Sequence, residues 1–326
     1  MTELSVAEAI LSGMQEAMRA DARVILLGED VEAGGVFRIT QGLLDEFGHT
    51  RVFDTPLAES GFVGAAIGAA LTGFRPIVEV QFMDFILPAV NQLISEAAKM
   101  RYRSQGEWTV PMVVRSPYGG GVHGGLYHSQ SFEALFAHVP GLKVVTPSTP
   151  ADAKALLLAA VADPDPVLFL EHKRTYRLIK GEVPDPLPPV PIGQAAVRRQ
   201  GRDLTIISYG LMVHESLAAA ELLAKEEIEC HVLDLRTLAP LDKAAIVEAA
   251  KQTSKVLIVH EDHLTGGIGG EVAAIIAQEA FEWLDAPIMR LAGPDVPAVP
   301  YHPALEHAFL PDAERIAATA RNLAAY

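Results

Sequence analysis

The sequence has a single cysteine, Cys230, among its 326 residues. One cysteine can form neither an internal disulfide nor a cysteine-rich metal site, which excludes small domains stabilised in these ways. No apolar run is long enough for a membrane span, and the acidic start, Met1-Thr2-Glu3, predicts neither a signal peptide nor a transit peptide. We therefore expect a cytoplasmic protein in a reducing compartment.

Basic residues are also few: the chain carries 26 lysines and arginines against 41 aspartates and glutamates, a net charge of −15. Such a surface opposes binding to nucleic acid or to anionic membranes, because both depend on neutralising phosphates. Residues 181–326, with 11 basic and 21 acidic side chains, are more acidic than residues 1–180, with 15 and 20. Neither a P-loop nor a G-x-S-x-G elbow occurs, so nucleoside triphosphatases and serine hydrolases are not supported.

Half of the residues are hydrophobic, and short apolar runs alternate with helical patterns along the chain. Ser5 and Glu8 have the spacing of a capping box, and a long helix is expected from Pro88 to Arg103. This alternation predicts two α/β domains, each with three layers and a parallel sheet covered on both faces. Five prolines in residues 184–191 indicate an extended linker, so we place the domains at residues 1–188 and 189–326.

Glu59 precedes a run of small and apolar residues, Gly61–Ala70, that offers it almost no polar partner. A partly buried carboxyl group can hold or pass a proton near neutral pH, as general acid–base catalysis requires. The alternative is a structural glutamate in the first turn of a helix that Thr55 caps and Pro56 opens. The spacing alone favours neither interpretation.

A glycine-rich loop from Tyr118 to Gln130 carries His123 and His128, which suits a lid over a reactive intermediate or, equally, a solvated surface loop. Its residues Gly119–Gly124 spell the G-x-G-x-x-G of nicotinamide enzymes, but no apolar helix follows to bind a pyrophosphate.

Two other motifs favour structural interpretations. Gly266–Gly270 precedes a predicted helix and fits turn chemistry better than an anion site. His260–His263 follows a strand directly and has no third ligand nearby, so we expect a polar loop there instead of a metal site.

Seven segments together have the pattern of one family: Val24–Asp30, Asp54–Gly61, Val80–Phe85, Tyr102–Ser104, Leu126–Gln130, Gly141–Ser148 and Val232–Thr237. Over essentially its whole length, the chain resembles the beta subunit of thiamine-diphosphate-dependent 2-oxo acid dehydrogenases. The resemblance implies an N-terminal domain with the thiamine-diphosphate-binding (pyrimidine) fold and a transketolase C-terminal-like domain.

The resemblance also implies how the cofactor is held. Glu59 would pair with a ring nitrogen of the aminopyrimidine and promote the tautomer that removes the thiazolium proton. Phe85 would stack on this ring, with Leu57 and Gln81 as further contacts. A stacked phenyl ring and one amide hydrogen bond suit a flat heteroaromatic group.

Further roles are implied beside the pyrimidine. His128 would handle the substrate carboxylate or acyl group, and Glu29 would lie near the cofactor in a tunnel between paired sites. In relatives, main-chain carbonyls and two aspartates hold a structural monovalent cation such as K⁺. The corresponding positions are Met112, Ala160, Val161, Asp163 and Asp165.

No G-D-G motif, which holds the divalent ion in thiamine diphosphate enzymes, occurs in the chain. A chain of charge −15 is poorly suited to neutralise a diphosphate alone. The resemblance therefore implies an alpha subunit that supplies most ligands of Mg²⁺ and the diphosphate, in an α2β2 heterotetramer. It also implies that the acidic C-terminal domain docks a basic domain of the dihydrolipoamide acyltransferase core.

The motifs that bear on the substrate resemble two different groups within the family. Tyr127–Gln130 and Phe136–His138 resemble branched-chain members, whereas Phe169–His172 and Met212–Ser216 resemble pyruvate members. We favour branched-chain 2-oxo acids, with pyruvate and acetoin as alternatives, for decarboxylation coupled to reductive acylation of lipoamide. Two functions of other classes stay open: a nicotinamide oxidoreductase built on Gly119–Gly124, and a non-catalytic scaffold subunit.

Overall fold

A computed structural model describes all 326 residues and divides the chain into two compact units. The first unit comprises residues 1–118 and 135–192, and the second comprises residues 119–134 and 193–326. Apart from Tyr118, the glycine-rich loop therefore belongs to the second unit, although the chain enters it from the first. The boundary that we propose near residue 188 lies shortly before Ile192, the last residue of the first unit.

The first unit alternates strands and helices. Its strands are β1 (Thr2–Ser5), β2 (Val24–Gly28), β3 (Val52–Asp54), β4 (Arg75–Glu79), β5 (Val113–Tyr118), β6 (Lys143–Val145), β7 (Val167–His172) and β8 (Lys180–Val183). Its helices are α1 (Val6–Ala20), α2 (Leu43–Phe47), α3 (Glu59–Leu71), α4 (Met100–Arg103), α6 (Pro150–Ala162) and α7 (Thr175–Leu178). Helix α5 (Glu133–Ala137) carries the chain from the loop of the second unit back into the first.

Six of these strands form a parallel arrangement in the order β6-β7-β5-β4-β2-β3, while β1 and β8 form a separate antiparallel ribbon. All five residues of β2 are buried, as expected for a parallel strand covered on both faces. The predicted capping box is present: the Glu8 amide donates to Ser5 Oγ (3.3 Å), and the Ser5 amide donates to Glu8 Oε2 (2.7 Å). Helix α1 buries Ile10 and Met14 and packs against α6.

The long helix predicted from Pro88 to Arg103 is not a regular α-helix. The chain instead forms a 3-10 helix over Met83–Ala89, a π-helix over Gln92–Glu96, a 3-10 turn over Ala97–Lys99 and then α4. Pro88 lies inside the first 3-10 helix, but a proline disrupts only the turn before it, so it does not explain the departure from an α-helix over residues 92–99.

The second unit contains a smaller sheet. Its strands are β9 (Ala196–Arg199), β10 (Leu204–Ser208), β11 (Cys230–Asp234), β12 (Thr237–Ala239), β13 (Val256–His263) and β14 (Met289–Gly293). Its helices are α8 (Leu211–Ala224), α9 (Lys243–Thr253), α10 (Ile268–Glu279), α11 (Pro303–Phe309) and α12 (Ala313–Ala324). Five strands pair in the order β14-β13-β10-β11-β9, and all pairings except that of β9 are parallel.

Helices α11 and α12 are not among the elements predicted from the sequence. Helix α12 begins after Asp312, whose side chain accepts a hydrogen bond from the Arg315 amide (2.8 Å), and it buries Ile316 and Leu323 in the core of the unit. None of the helices combines the length and the apolar character needed to cross a bilayer.

Candidate cofactor site and histidine loop

The candidate cofactor site of the first unit lies where three neighbouring parallel strands end. Gly28 at the end of β2 pairs with Asp54 of β3 on one side and with Glu79 of β4 on the other. The residues that follow these ends include Glu29, Glu59 and Gln81, so the register gathers them at one edge. In open α/β sheets, ligands bind outside the carboxyl ends of the strands.

Glu29 is 4% exposed, and its Oε1 atom has no hydrogen-bond partner. Burial, and then the charges of Glu59 and Asp30, raise the pKa of the Glu29 carboxyl to about 7. Thr55 Oγ1 is a second buried oxygen without a partner in the segment after β3. Because buried polar atoms are normally hydrogen-bonded, a water molecule or a polar ligand could supply the partner that these two oxygens lack.

Glu59 is half-buried and is the first residue of α3. The helix begins after Ala58, which makes no side-chain cap hydrogen bond. Glu59 does lie in the first turn of α3, as the structural alternative has it, but Thr55 and Pro56 lie before the helix and neither caps nor opens it. The Thr55 amide instead donates to the carbonyl of Gly28 (2.9 Å), which fixes the start of this segment against the end of β2.

Gln81 and Phe85 follow β4 and are both half-buried. Gln81 Nε2 donates to Asp30 Oδ2 (3.0 Å) and to the carbonyl of Glu29 (3.4 Å). The Phe85 ring packs edge-on against Phe82, with ring centres 5.6 Å apart. The structure thus brings two carboxyl groups, an amide and an aromatic ring to one edge of the sheet.

Leu57, the remaining predicted cofactor contact, is 82% exposed on the segment between β3 and α3. A large apolar side chain with this exposure makes few contacts within its own unit. It is therefore available to a bound group or to another chain.

A buried ion network lies beside this edge, and its residues are not among the predicted site residues. Arg115 of β5 is 1% exposed and contacts Glu79 of β4 (2.7 Å) and Glu171 of β7 (2.7 Å). The Tyr176 hydroxyl donates to Glu171 (2.6 Å). Burial raises the pKa of Glu79, against the opposing charge of Arg115. The available signal was the presence of charged residues inside apolar strands that pair with one another.

His128 lies in the second unit, directly after a 3-10 turn over Gly125–Tyr127, and is half-buried. The same loop places the His123 side chain against Glu306 of α11, with Nδ1 and a carboxylate oxygen 2.5 Å apart. At the end of the loop, Glu133 is fully buried and accepts a hydrogen bond from the Tyr209 hydroxyl (2.8 Å).

Burial, and then the charge of Asp262, raise the pKa of Glu133 well above its usual range. Buried carboxyl groups therefore fix this segment at two points. Glu306 contacts His123 within the loop, and Glu133, just after the loop, contacts Tyr209. Neither Glu306 nor Glu133 is among the predicted site residues, because their partners lie far away along the chain.

The glycine motifs do not form a dinucleotide site. Gly119–Gly124 follows β5, but a 3-10 turn comes next where a nicotinamide enzyme has an α-helix. Gly266–Gly270 leads into α10, which starts at Ile268. His260–His263 forms the end of β13 itself, not a loop after it. No cluster of three or more His, Cys, Asp or Glu residues suited to a metal ion occurs in the chain.

The five positions predicted to bind a monovalent cation have partners within the protein. The Met112 carbonyl accepts from the Val167 amide (2.9 Å), and the Val161 carbonyl accepts from Arg75 (2.6 Å). The Ala160 carbonyl accepts a longer hydrogen bond from the Asp163 amide (3.3 Å).

Both predicted aspartates form ion pairs. Lys143 Nζ is 2.6 Å from Asp163, and Arg101 Nε is 2.5 Å from Asp165. The charge of these two carboxylates is therefore already balanced by side-chain cations.

Two known families match the chain, and residues 119–134 of the second unit fall within the first match. Residues 2–179 match the family described as "Transketolase, pyrimidine binding domain", and residues 193–316 match "Transketolase, C-terminal domain". The chain is 60% identical to the "2-oxoisovalerate dehydrogenase subunit beta" of Bacillus subtilis (strain 168), over 100% of both chains. It belongs to the beta subunits of the thiamine-diphosphate-dependent 2-oxo acid dehydrogenases. The family resemblance inferred from the seven segments is thus confirmed.

Other comparisons agree with this family. The chain is 46% identical to the "Pyruvate dehydrogenase E1 component subunit beta" of the same organism, over 99% of each chain. A solved structure, "Split gene transketolase, inactive beta4 tetramer", superimposes with a TM-score of 0.79 at 22% identity, over 99% of this chain and 98% of the other. That similarity supports the fold, and the predicted two-domain α/β architecture of this beta subunit is confirmed.

Proposed function

We propose that this beta subunit provides the pyrimidine-binding half of an enzyme that decarboxylates a 2-oxo acid and reductively acylates lipoamide, with branched-chain 2-oxo acids as its preferred substrates. The observation that carries the proposal is the coupled acid pair, Glu29 and Glu59, beside Gln81 and Phe85 at one sheet edge. The 60% identity with a 2-oxoisovalerate dehydrogenase subunit supports the substrate class.

These residues fit the aminopyrimidine of thiamine diphosphate. When bound, the cofactor supplies the carbon nucleophile and the electron sink for decarboxylation. Phe85 would hold the ring by stacking, and Leu57 and Gln81 would add contacts. Glu59 would share a proton with a ring nitrogen, and Glu29, with its pKa near 7, would hold or release a proton beside it. His128 would orient the carboxylate or acyl group of the substrate.

The proposal includes an alpha subunit in an α2β2 heterotetramer. The chain has no G-D-G motif and a net charge of −15, so the alpha subunit would supply most ligands of Mg²⁺ and the diphosphate. A K⁺ ion would bind through the second lone pairs of the main-chain carbonyls of Met112, Ala160 and Val161, each of which already accepts one hydrogen bond. Asp163 and Asp165 would remain paired with Lys143 and Arg101. The buried free thiol of Cys230 suits a reducing cytoplasm.

A second partner is proposed for the C-terminal half of the chain. Its 21 acidic and 11 basic side chains would attract the basic subunit-binding domain of a dihydrolipoamide acyltransferase core.

The substrate proposal is tested with the assembled alpha and beta subunits, by comparing kcat/KM for 3-methyl-2-oxobutanoate, pyruvate and acetoin. We expect the branched substrate to be preferred by at least about tenfold, because one methylene in an apolar pocket is worth roughly 10–200-fold. Equal or higher kcat/KM for pyruvate would overturn the preference. Full activity of the beta subunit alone would overturn the proposal that the alpha subunit completes the site.

A further inference from the structure

We propose that Glu306 is a positioning residue: its buried carboxylate fixes the glycine-rich loop, residues 119–130, in the conformation that presents His128. The inference deepens the proposed function and rests on the role proposed there for His128. Glu306 lies in α11, far from the loop in sequence, and its side chain would determine where the loop lies.

The contacts of Glu306 account for both of its carboxylate oxygens. Oε1 accepts hydrogen bonds from the amides of Gly121 (2.8 Å) and His123 (3.2 Å). Oε2 lies 2.5 Å from His123 Nδ1, so this ring nitrogen carries a hydrogen. Glu306 is itself 2% exposed, whereas the His123 side chain is 53% exposed. A carboxylate removed from water needs such donors, and all three that are seen here come from the loop.

A second carboxylate strengthens the attachment. The amide of Gly120 donates a short hydrogen bond to Glu261 Oε1, at the end of β13. The amide of Gly119 donates to the carbonyl of Gln130 (3.1 Å), which closes the base of the loop. Consecutive loop amides are thus aimed at two carboxylates of the second unit. Because the segment has no strand or α-helix of its own before α5, these contacts replace regular secondary structure.

The constraint reaches His128 through direct backbone packing. A Cβ atom on Gly124, the residue after His123, would lie 2.8 Å from both the carbonyl oxygen and the Cβ of His128. The amide of His128 donates a long hydrogen bond to the carbonyl of Gly125 (3.5 Å). Any shift of His123 away from Glu306 therefore moves the segment on which His128 rests.

Three substitutions distinguish a role of Glu306 in positioning the loop from a general effect on the stability of the fold. Glu306→Ala removes both acceptors, and Glu306→Gln keeps one acceptor oxygen for the loop amides but removes the charge that faces His123. Glu314→Gln, on the exposed face of α12, is the matched control. Each is measured in two ways: amide hydrogen exchange of residues 119–130 in the full-length chain, and kcat and KM for the 2-oxo acid in the alpha–beta assembly.

We expect Glu306→Ala to speed exchange of the loop amides and to lower kcat by about 10–100-fold, since a displacement of about 1 Å can cost this much. Glu306→Gln should recover most of the exchange protection and an intermediate kcat, and Glu314→Gln should match the wild type. Unchanged loop exchange in Glu306→Ala would overturn the inference, as would a loss of kcat that merely follows the unfolded fraction.

The variant His128→Ala distinguishes this inference from the proposed function. If His128→Ala keeps wild-type kcat while Glu306→Ala still frees the loop amides, the role of His128 is wrong and the anchoring by Glu306 stands. If His128→Ala is inactive but Glu306→Ala leaves both exchange and kcat unchanged, the role of His128 stands and the positioning by Glu306 is wrong.

Discussion

Glu29 and Glu59 are electrostatically coupled: burial, followed by the negative charge of Glu59, raises the pKa of the Glu29 carboxyl to about 7. The two residues come from different elements, since Glu29 directly follows β2 and Glu59 begins α3. Burial and a nearby negative charge both disfavour the ionised form of Glu29, so its carboxyl is still partly protonated near neutral pH. A carboxyl group with a pKa near neutral pH can both accept a proton from a neighbouring group and return it.

Replacement of Glu59 by glutamine tests the proton-transfer role. The amide preserves size but cannot exchange a proton, so we expect kcat of the alpha–beta assembly to fall by roughly 10²–10⁴-fold. The melting temperature and the assembly with the alpha subunit should remain those of the wild type, as should the activity of the exposed control Glu107→Gln. Retention of activity in Glu59→Gln would instead support the scaffold alternative.

Replacement of Glu29 by glutamine should change how stability depends on pH. The Glu29 pKa is about 7 in the folded chain against an ordinary 4.5, so between these values the folded chain holds a proton that the unfolded chain has released. The wild type therefore loses stability relative to the variant as pH rises through this range. The difference in melting temperature, variant minus wild type, should grow from about pH 4.5 to about pH 7 and stay constant above about pH 8.

Calorimetric melting of the full chain at several pH values measures this difference. Glu107→Gln, on an exposed segment of the same unit, should parallel the wild type throughout. A difference for Glu29→Gln that is the same at every pH would contradict the raised pKa.

The buried network around Arg115 should respond strongly to the loss of its cation. Arg115→Met leaves Glu79 and Glu171 buried without their shared positive partner, and we expect a loss of about 3–5 kcal/mol in the free energy of unfolding. The triple variant Arg115→Met, Glu79→Gln, Glu171→Gln should recover much of this loss, because no buried charge is then unpaired. Urea unfolding of the full chain measures both. A single variant as stable as the wild type would contradict the network's structural role.

Docking of the acyltransferase core should depend on salt if the acidic half of the chain attracts it. We expect the association rate of the alpha–beta assembly with the isolated basic domain to fall by at least about tenfold between about 0.05 M and about 0.5 M NaCl, since screening shortens the range of charge attraction. The dissociation rate should change much less. Stopped-flow mixing at constant viscosity gives both rates. An association rate indifferent to NaCl would rule out electrostatic steering by this surface.

Much of the fold could be predicted because its signals are local. The capping box at Ser5 and Glu8, the buried run of β2 and the regular return of apolar strands each depend on neighbouring residues. Helical periodicity predicts an α-helix from Pro88 to Arg103, but the segment divides into 3-10, π and α turns. Periodicity places apolar residues on one face and does not specify which of these hydrogen-bond patterns the backbone adopts.

The sequence by itself determined the alternating α/β pattern, the acidic surface, the family and the residue types available for chemistry, since each of these depends on composition, local spacing or a recognisable motif. Only the tertiary structure decided which of those residues meet. Parallel pairing of β2 with β3 and β4 brings Glu29 and Glu59 to one edge, and the folding of α11 onto the loop brings Glu306 to His123. The physical reason is that desolvation and charge coupling depend on distance in space, and distances between segments far apart in the chain are set only when the sheets and helices pack.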